Sequence, residues 1–228
     1  MQSENSKIFY TAFANWLQII LLIISNVLLV PLILTKWEPN LLGLWFILIS
    51  LTQFSFIINL SHQSYLYNRS FVLNRNKKKL INQELISALP LSLIISLFVI
   101  VVFYISYKFN ILSNLLNIDE KYSKVLNISI IYISILNFFT YSYSNFFSGP
   151  FSAFGYYHIY ALIKVFRAAT TLLIPAYSIF RGATFIEAVY VLIFTEILSF
   201  FVHIFFSIKY FKKLSFKIYK PNFILALK

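Results

Sequence analysis

Two basic residues deep inside one long apolar stretch are the first candidates for chemistry in this chain. Tyr160, Lys164, Arg167 and Thr171 follow one another at steps of four, three and four residues, so a helix places them on one face. Counted from His158 at 1.5 Å per residue, Lys164 lies about 9 Å and Arg167 about 13 Å along that helix. A basic side chain at mid-bilayer costs roughly 2.5–3.5 kcal/mol, so both are expected to face protein or water.

The last apolar stretch offers a counterpart, because Glu196, Ser199 and His203 also align on one helical face. Two interpretations stay open. In the first, Arg167 pairs with Glu196, the only acidic residue deep in an apolar stretch, and the pair is functionally quiet. In the second, Lys164 and Arg167 supply positive charge to a cavity that receives an anion, because Glu196 can neutralise only one of them. Glu196 and His203 are also the candidates for ion or proton coupling.

The composition indicates a membrane protein. Of the 228 residues, 60% are hydrophobic, 20% are aromatic and 11% are charged, and the mean hydropathy is +0.79. A soluble domain has about 25% charged residues, and a soluble chain of this length could not bury so much apolar surface. The absence of cysteine excludes thiolate catalysis, disulfides and cysteine-ligated metals.

Six apolar stretches are long enough to cross a bilayer as helices, which takes about 20 residues each. They predict an all-α polytopic membrane protein, with a six-helix lobe over residues 1–208 and a basic segment over residues 209–228. Thr184 and Glu187 have the spacing of a capping box at the start of the sixth span. The predicted spans are residues 13–35, 41–60, 85–107, 125–147, 158–180 and 185–207.

The basic residues outside these spans predict the orientation of the bundle. Of the 19 Lys and Arg residues, twelve fall at one set of helix ends, five fall at the other, and the last two are Lys164 and Arg167. Because cytoplasmic loops carry the excess of basic residues, both termini are predicted to be cytoplasmic. The net charge of +12 is therefore explained by the orientation of the helices and by contact with anionic membrane lipids. No nucleic acid partner is expected.

Other predicted spans carry polar residues at helical spacing, which a helix surrounded by lipid does not need. The second span has Asn59 on such a face, and the fourth has Asn137 and Tyr141 on the longest one. Residues of this kind commonly join membrane helices to one another, and a water-filled cavity is the alternative for Asn137 and Tyr141. Tyr141 and Tyr160 could also stack on a sugar ring.

Two further expectations concern exposure. The third span has only Ser92 and Ser96 aligned, so it is expected to be the most lipid-exposed of the six. Trp37 and Trp45 lie near span ends, where aromatic side chains form belts at the membrane interface. Both tryptophans are therefore expected at the interface.

No enzyme motif is present. The chain lacks a nucleotide-binding P-loop, a G-x-S-x-G serine motif, an H-E-x-x-H zinc motif and a paired-carboxylate site. Its three histidines, His62, His158 and His203, have no histidine partner at a spacing of three or four residues. The chain is therefore not expected to be an enzyme, and neither a cofactor nor a metal ion is expected.

Several short segments resemble the first lobe of a known exporter family. Val30-Pro31-Leu32-Ile33-Leu34 leads to Gly43-Leu44-Trp45, Asn59-Leu60-Ser61 precedes a basic loop, Ala153-Phe154-Gly155 follows the fourth span, and the basic stretch Lys209–Lys220 precedes Pro221. Together they are similar to polysaccharide and oligosaccharide-lipid exporters of the MOP (multidrug/oligosaccharidyl-lipid/polysaccharide) superfamily, which includes Wzx-type O-antigen flippases. Many relatives have Asp-Leu-Gly where this chain has Asn59-Leu60-Ser61, so no carboxylate role carries over there.

The resemblance implies a function. The chain would be the N-terminal six-helix lobe of a flippase that moves undecaprenyl-diphosphate-linked oligosaccharide across the bacterial cytoplasmic membrane by alternating access. A truncated longer protein is the favoured form, and a split gene product or a homodimer is the alternative. The other functions left open are a multidrug antiporter of the same superfamily and a non-transporting membrane scaffold or enzyme subunit.

The resemblance also implies roles for the candidate residues. The substrates of this family are anions that basic residues in the lumen are thought to engage. Lys164 and Arg167 are the residues of this chain that would meet the diphosphate. Polar faces of neighbouring helices would solvate the sugars, and the substrate-binding candidates there are Tyr160, Asn137, Tyr141 and Asn59.

Overall fold

The computed structural model describes residues 4–51, 78–144 and 154–213, together with Asn68, Val72 and Phe151. This part of the chain is 91% helical and contains no strand, which confirms the predicted all-α class. Its helices are α1 (Glu4–Lys36), α2 (Pro39–Leu51), α3 (Lys78–Lys108), α4 (Ile111–Leu115), α5 (Glu120–Ser144), α6 (Tyr157–Phe180) and α7 (Phe185–Lys213).

Four of the described helices, α1, α3, α6 and α7, are long and apolar enough to cross a membrane. They correspond to the first, third, fifth and sixth predicted spans. The predicted fourth span falls on α5, a 25-residue helix that is not among those four. The second begins within α2, and its residues after Leu51 lie outside the described part of the chain. Six spans with cytoplasmic termini therefore stay a prediction.

The long helices neighbour one another in the order α1, α6, α7, α5, α3. The end of α1 and the starts of α5 and α7 meet at one end of the bundle, where Trp37, Tyr122 and Phe185 share a hydrophobic core. We call this the Trp37 end. Leu44, Trp45 and Leu48 of α2 complete that core.

Trp37 and Trp45 are buried at this end, with only 8% and 3% of their surface exposed. Their ring centroids lie 5.8 Å apart, and the Phe185 ring lies 5.6 Å from Trp37 and 6.1 Å from Trp45. The indole Nε1 of Trp37 donates a hydrogen bond of 2.9 Å to the carbonyl of Ala183. The expectation of an interfacial belt is wrong for both tryptophans, because aromatic packing holds both rings inside the bundle and the partly buried hydrogen bond adds to this for Trp37.

The turn between α6 and α7 presents the carbonyl that Trp37 binds. Gly182 adopts a left-handed conformation with φ of 92°, and the amides of Gly182 and Ala183 close back onto the last turn of α6 at 2.9 and 3.0 Å, as in a Schellman motif. Thr184 then begins α7: its amide donates to the Glu187 carboxylate at 2.7 Å, and the Glu187 amide donates to the Thr184 hydroxyl at 3.4 Å. The predicted capping box is confirmed.

A polar contact joins α1 to α5 across the same end. The hydroxyl of Tyr122 donates a hydrogen bond to the Glu38 carboxylate, and the Lys121 ammonium lies 3.7 Å from that carboxylate. The Tyr122 hydrogen bond and the positive charge of Lys121 both lower the pKa of Glu38. Glu38 is therefore directed towards α5.

Asn127, a polar residue near the start of α5, has a structural role. Asn127 is buried, and its amide nitrogen donates to the side-chain oxygen of Asn110 at 2.7 Å, while Ser113 donates to its amide oxygen at 3.3 Å. These bonds fix the turn around α4, where Asn110 has a left-handed φ of 51°. Farther along, Ser134 donates to the carbonyl of Ile131 in its own helix. Polar residues of this kind can either join helices or line a water-filled cavity, and Asn127 joins helices.

Helix α3, the third predicted span, is more buried than expected. In the most apolar window of α3, 39% of residues are buried, the highest share among the four long apolar helices, whereas the share for α1 is 12%. Ser92 and Ser96 are only 2% and 3% exposed, and Ser96 donates to the Ser92 carbonyl at 2.8 Å. The expectation that this span is the most lipid-exposed is wrong, because α3 packs against α5 and both serines are buried.

Removal of the Trp37 indole is expected to destabilise the fold. Trp37→Ala leaves a cavity in the core at the Trp37 end and should cost about 3–5 kcal/mol, and Trp37→Phe should cost less because it keeps an aromatic ring. Thermal unfolding of the purified protein in detergent measures both. Trp16, which is 66% exposed, is the matched control: equal shifts for Trp16→Phe and Trp37→Phe would contradict the assigned packing.

The two ends of the bundle are expected on opposite sides of the membrane. Leu115 is 74% exposed beside the Trp37 end, and Lys209 is exposed near the far end of α7. Because the chain has no cysteine, a single Leu115→Cys or Lys209→Cys change gives a clean labelling site. A membrane-impermeant thiol reagent added to intact cells should label the first variant and reach the second only after permeabilisation. The reverse pattern would invert the predicted orientation.

Candidate functional site

An ion pair between Arg167 and Glu196 joins α6 to α7. The Nε and Nη2 atoms of Arg167 each donate a hydrogen bond of 3.0 Å to a different oxygen of the Glu196 carboxylate. The side chain of Glu196 is 11% exposed and that of Arg167 is 27% exposed. A bidentate pair of this kind satisfies the hydrogen-bonding groups of both side chains where they are largely removed from solvent.

A hydroxyl pair and a group of rings extend this contact along the two helices. The hydroxyl oxygens of Thr170 and Ser199 lie 3.0 Å apart. His203, which is 5% exposed, has its ring centroid 6.0 Å from that of Tyr160 and 6.4 Å from that of Phe151. The predicted face of Glu196, Ser199 and His203 is therefore the face of α7 that meets α6.

Sequence spacing did not identify every residue of this face. Thr171 was placed there by its step from Arg167, but its hydroxyl donates to the Arg167 carbonyl in its own helix at 2.8 Å. Thr170 makes the contact across the helices instead. Phe151 also lies beside Tyr160, with 6.5 Å between ring centroids, although it comes from a different part of the sequence. Neither residue stands out by type or spacing.

Lys164 is close to this group but has no acidic partner. Its ammonium nitrogen lies 5.6 Å from the centroid of the Tyr160 ring, within the range of a cation–π contact. All seven acidic residues of the chain are among those the structure describes, and the described ion pairs are Arg167 with Glu196 and Lys121 with Glu38. The half-buried charge of Lys164 is thus not neutralised by a described carboxylate.

Helix α1 adds polar groups on the side that packs against α6. Ala14, Ser25 and Leu29 are buried on this face of α1, and Asn15 and Gln18 are half-buried along it. The two helices run in the same direction, since Lys36 lies beside the ring of Phe180 at the end of both. Counting back along the two helices from this contact places Gln18 near the level of Lys164.

The remaining candidates cannot be placed in this site. Asn137 and Tyr141 lie on α5, which packs against α7, but their side chains are outside the described part of the structure. Asn59 also lies outside the described residues. In the part of the chain that is described, no group of three His, Asp or Glu side chains could hold a metal ion.

The arrangement combines one cation that a carboxylate neutralises with a second cation that no described carboxylate neutralises. Arg167 and Glu196 neutralise each other, the rings of Tyr160, Phe151 and His203 pack against one another, and Lys164 contributes a net positive charge. Comparison of the chain with protein-family models, curated proteins and solved structures gives no match. The chemical character of this group of residues therefore carries the functional argument.

Breaking the ion pair from one side is expected to be more harmful than removing it whole. Arg167→Met leaves the Glu196 carboxylate buried without a guanidinium and should cost about 3–5 kcal/mol. Adding Glu196→Leu should recover most of that loss, because the second charge then disappears. Thermal unfolding of the purified variants measures both effects. Lys164→Met, which removes a charge without breaking an ion pair, is the control, and a double variant as unstable as Arg167→Met would contradict the pairing.

Proposed function

We propose that this chain is a membrane flippase, or the N-terminal half of one, that moves undecaprenyl-diphosphate-linked oligosaccharide across the bacterial cytoplasmic membrane for surface polysaccharide synthesis. The observation that supports it best is the half-buried ammonium of Lys164, which no described carboxylate neutralises. Burying a cation between apolar helices is costly, so a position of this kind is expected to serve a ligand. A diphosphate is an anion of the complementary charge.

The ion pair beside Lys164 supports a division of roles. Since Arg167 already binds Glu196 through two hydrogen bonds, its role in the proposal is to hold α6 against α7 and keep Lys164 in place. Lys164 then makes the direct contact with phosphate. This revises the expectation that Lys164 and Arg167 both meet the diphosphate.

Tyr160 keeps its proposed role as a contact for the sugars. Tyr160 lies beneath the Lys164 ammonium and is half-buried, so in the proposal a sugar that follows the diphosphate contacts the accessible part of this side chain. Asn137, Tyr141 and Asn59 keep their proposed roles as hydrogen-bonding groups for the sugars. A second lobe or a second copy of the chain would form the opposite wall, as in transporters that rock two bundles around a site near mid-membrane.

The other candidate functions receive less support. A multidrug antiporter that exports cations needs an available carboxylate, but Glu196 is held by Arg167. Coupling to protons through Glu196 and His203 would require the ion pair between Arg167 and Glu196 to open during the transport cycle. A non-transporting scaffold would leave the position of Lys164 without a purpose.

A flipping assay tests the proposal. The full-length protein is reconstituted in liposomes with a fluorescent undecaprenyl-diphosphate-linked oligosaccharide, and transfer between leaflets is followed by quenching from outside. Lys164→Met keeps the side-chain length but removes a charge-assisted hydrogen bond worth about 1.5–3 kcal/mol, so the rate should fall about tenfold to a hundredfold. Lys164→Arg should retain most of the activity.

The controls separate transport from structure. Lys108→Met removes a charge that also lies beside an aromatic ring, 5.9 Å from the centroid of Phe109, but at the other end of the bundle, and it should flip at the normal rate. Normal flipping by Lys164→Met would refute the assigned role. Absence of flipping by the unmodified protein would favour the scaffold.

A further inference from the structure

An apolar groove runs between α1 and α6 towards the Trp37 end, away from Lys164. Its volume is about 530 Å³, within the range of about 300–1,000 Å³ that is usual for small-molecule sites. It extends from Ile24 to Thr35 on α1, a length of about 17 Å at 1.5 Å per residue. Leu28, Tyr177 and Phe180 along it are each about 60% exposed, so the groove opens sideways towards the surrounding medium.

Two basic residues stand at the end of this groove. Lys36 is the last residue of α1, and its ammonium nitrogen lies 5.9 Å from the ring centroid of Phe180, which lines the groove. Arg181 directly follows Phe180 and is exposed. Neither basic residue forms an ion pair with a described carboxylate: Glu38 is bound on the α5 side and Glu187 caps α7. The end of the groove therefore has two basic side chains that no described carboxylate pairs with.

We propose that this groove binds an anionic glycerophospholipid, with one acyl chain along the groove and the headgroup phosphate between Lys36 and Arg181. A long apolar groove with a cationic end matches the chemistry of such a lipid, which joins an acyl chain to a phosphate. Arg181 lies 17 residues beyond Lys164 on the sequence, about 25 Å along α6. The site is therefore separate from the proposed transport site and does not depend on it.

Lipid binding to the purified full chain tests this site. After delipidation in mild detergent, the protein is titrated with phosphatidylglycerol or with phosphatidylcholine of the same acyl chains, and bound lipid is counted by native mass spectrometry. The unmodified protein should bind phosphatidylglycerol more tightly. Each basic residue near a headgroup is worth about fivefold in affinity, so Lys36→Gln with Arg181→Gln should reduce phosphatidylglycerol binding about thirtyfold and remove the preference.

Two further variants test the geometry. Leu173 lines the groove and is 46% exposed, so Leu173→Trp should fill the groove and reduce binding of both lipids without disturbing the core. Lys108→Gln is the matched control, because that lysine lies at the end of α3 beside an aromatic ring but away from the groove, and its lipid affinity should not change.

Several results would overturn the proposal. They are unchanged phosphatidylglycerol binding by the double charge variant, an equal loss in Lys108→Gln, or normal binding by Leu173→Trp. Recovery of an isoprenoid diphosphate from this groove in protein purified from its membrane would assign the groove to the transported lipid instead. A lipid-independent dimer that Leu173→Trp dissociates would assign it to a second copy of the chain.

Discussion

The bidentate ion pair between Arg167 and Glu196 is the contact on which the rest of this structure depends. Neither charge can be stable alone between apolar helices, because the surroundings provide no water to hydrate it. Each therefore requires the other, and this requirement fixes the rotation and height of α6 against α7. The hydroxyl contact of Thr170 with Ser199 and the packing of Tyr160 against His203 follow from that alignment. The position of Lys164 also follows, since it lies one turn before Arg167 on the same helix.

The Trp37 end provides the second constraint. A Schellman turn and a capping box satisfy the backbone between α6 and α7 and leave one loop carbonyl for the indole of Trp37. The same helix end contacts α5 through Glu38 and Tyr122. As a result, α1 is anchored at this end although most of its surface is exposed. The groove between α1 and α6 lies beside this anchor, which keeps Lys36 and Arg181 at its end.

The two proposed sites share a lysine beside an aromatic ring but differ in the surroundings of that lysine. Both place a cation next to an aromatic ring, Lys164 over Tyr160 and Lys36 over Phe180. Lys164 is half-buried between helices that carry further polar groups, which suits a polar ligand that must pass through. Lys36 is exposed at the end of an apolar groove, which suits an amphiphile that stays in the membrane. The surroundings of each lysine, more than its type, decide which anion it can bind.

Composition and periodicity alone determined the helical class and the positions of four long apolar helices. They also determined the capping box at Thr184 and the shared helical face of Glu196, Ser199 and His203. These are properties of local sequence, because length, hydropathy and helical spacing do not depend on distant residues. Only the tertiary structure decided that the pair anticipated between Arg167 and Glu196 forms, and that Thr170 and not Thr171 contacts Ser199. It also decided that Trp37 and Trp45 are buried and that α3 is packed more closely than α1. Those outcomes depend on which helices become neighbours and how they are rotated, and spacing within one helix cannot encode a partner from another.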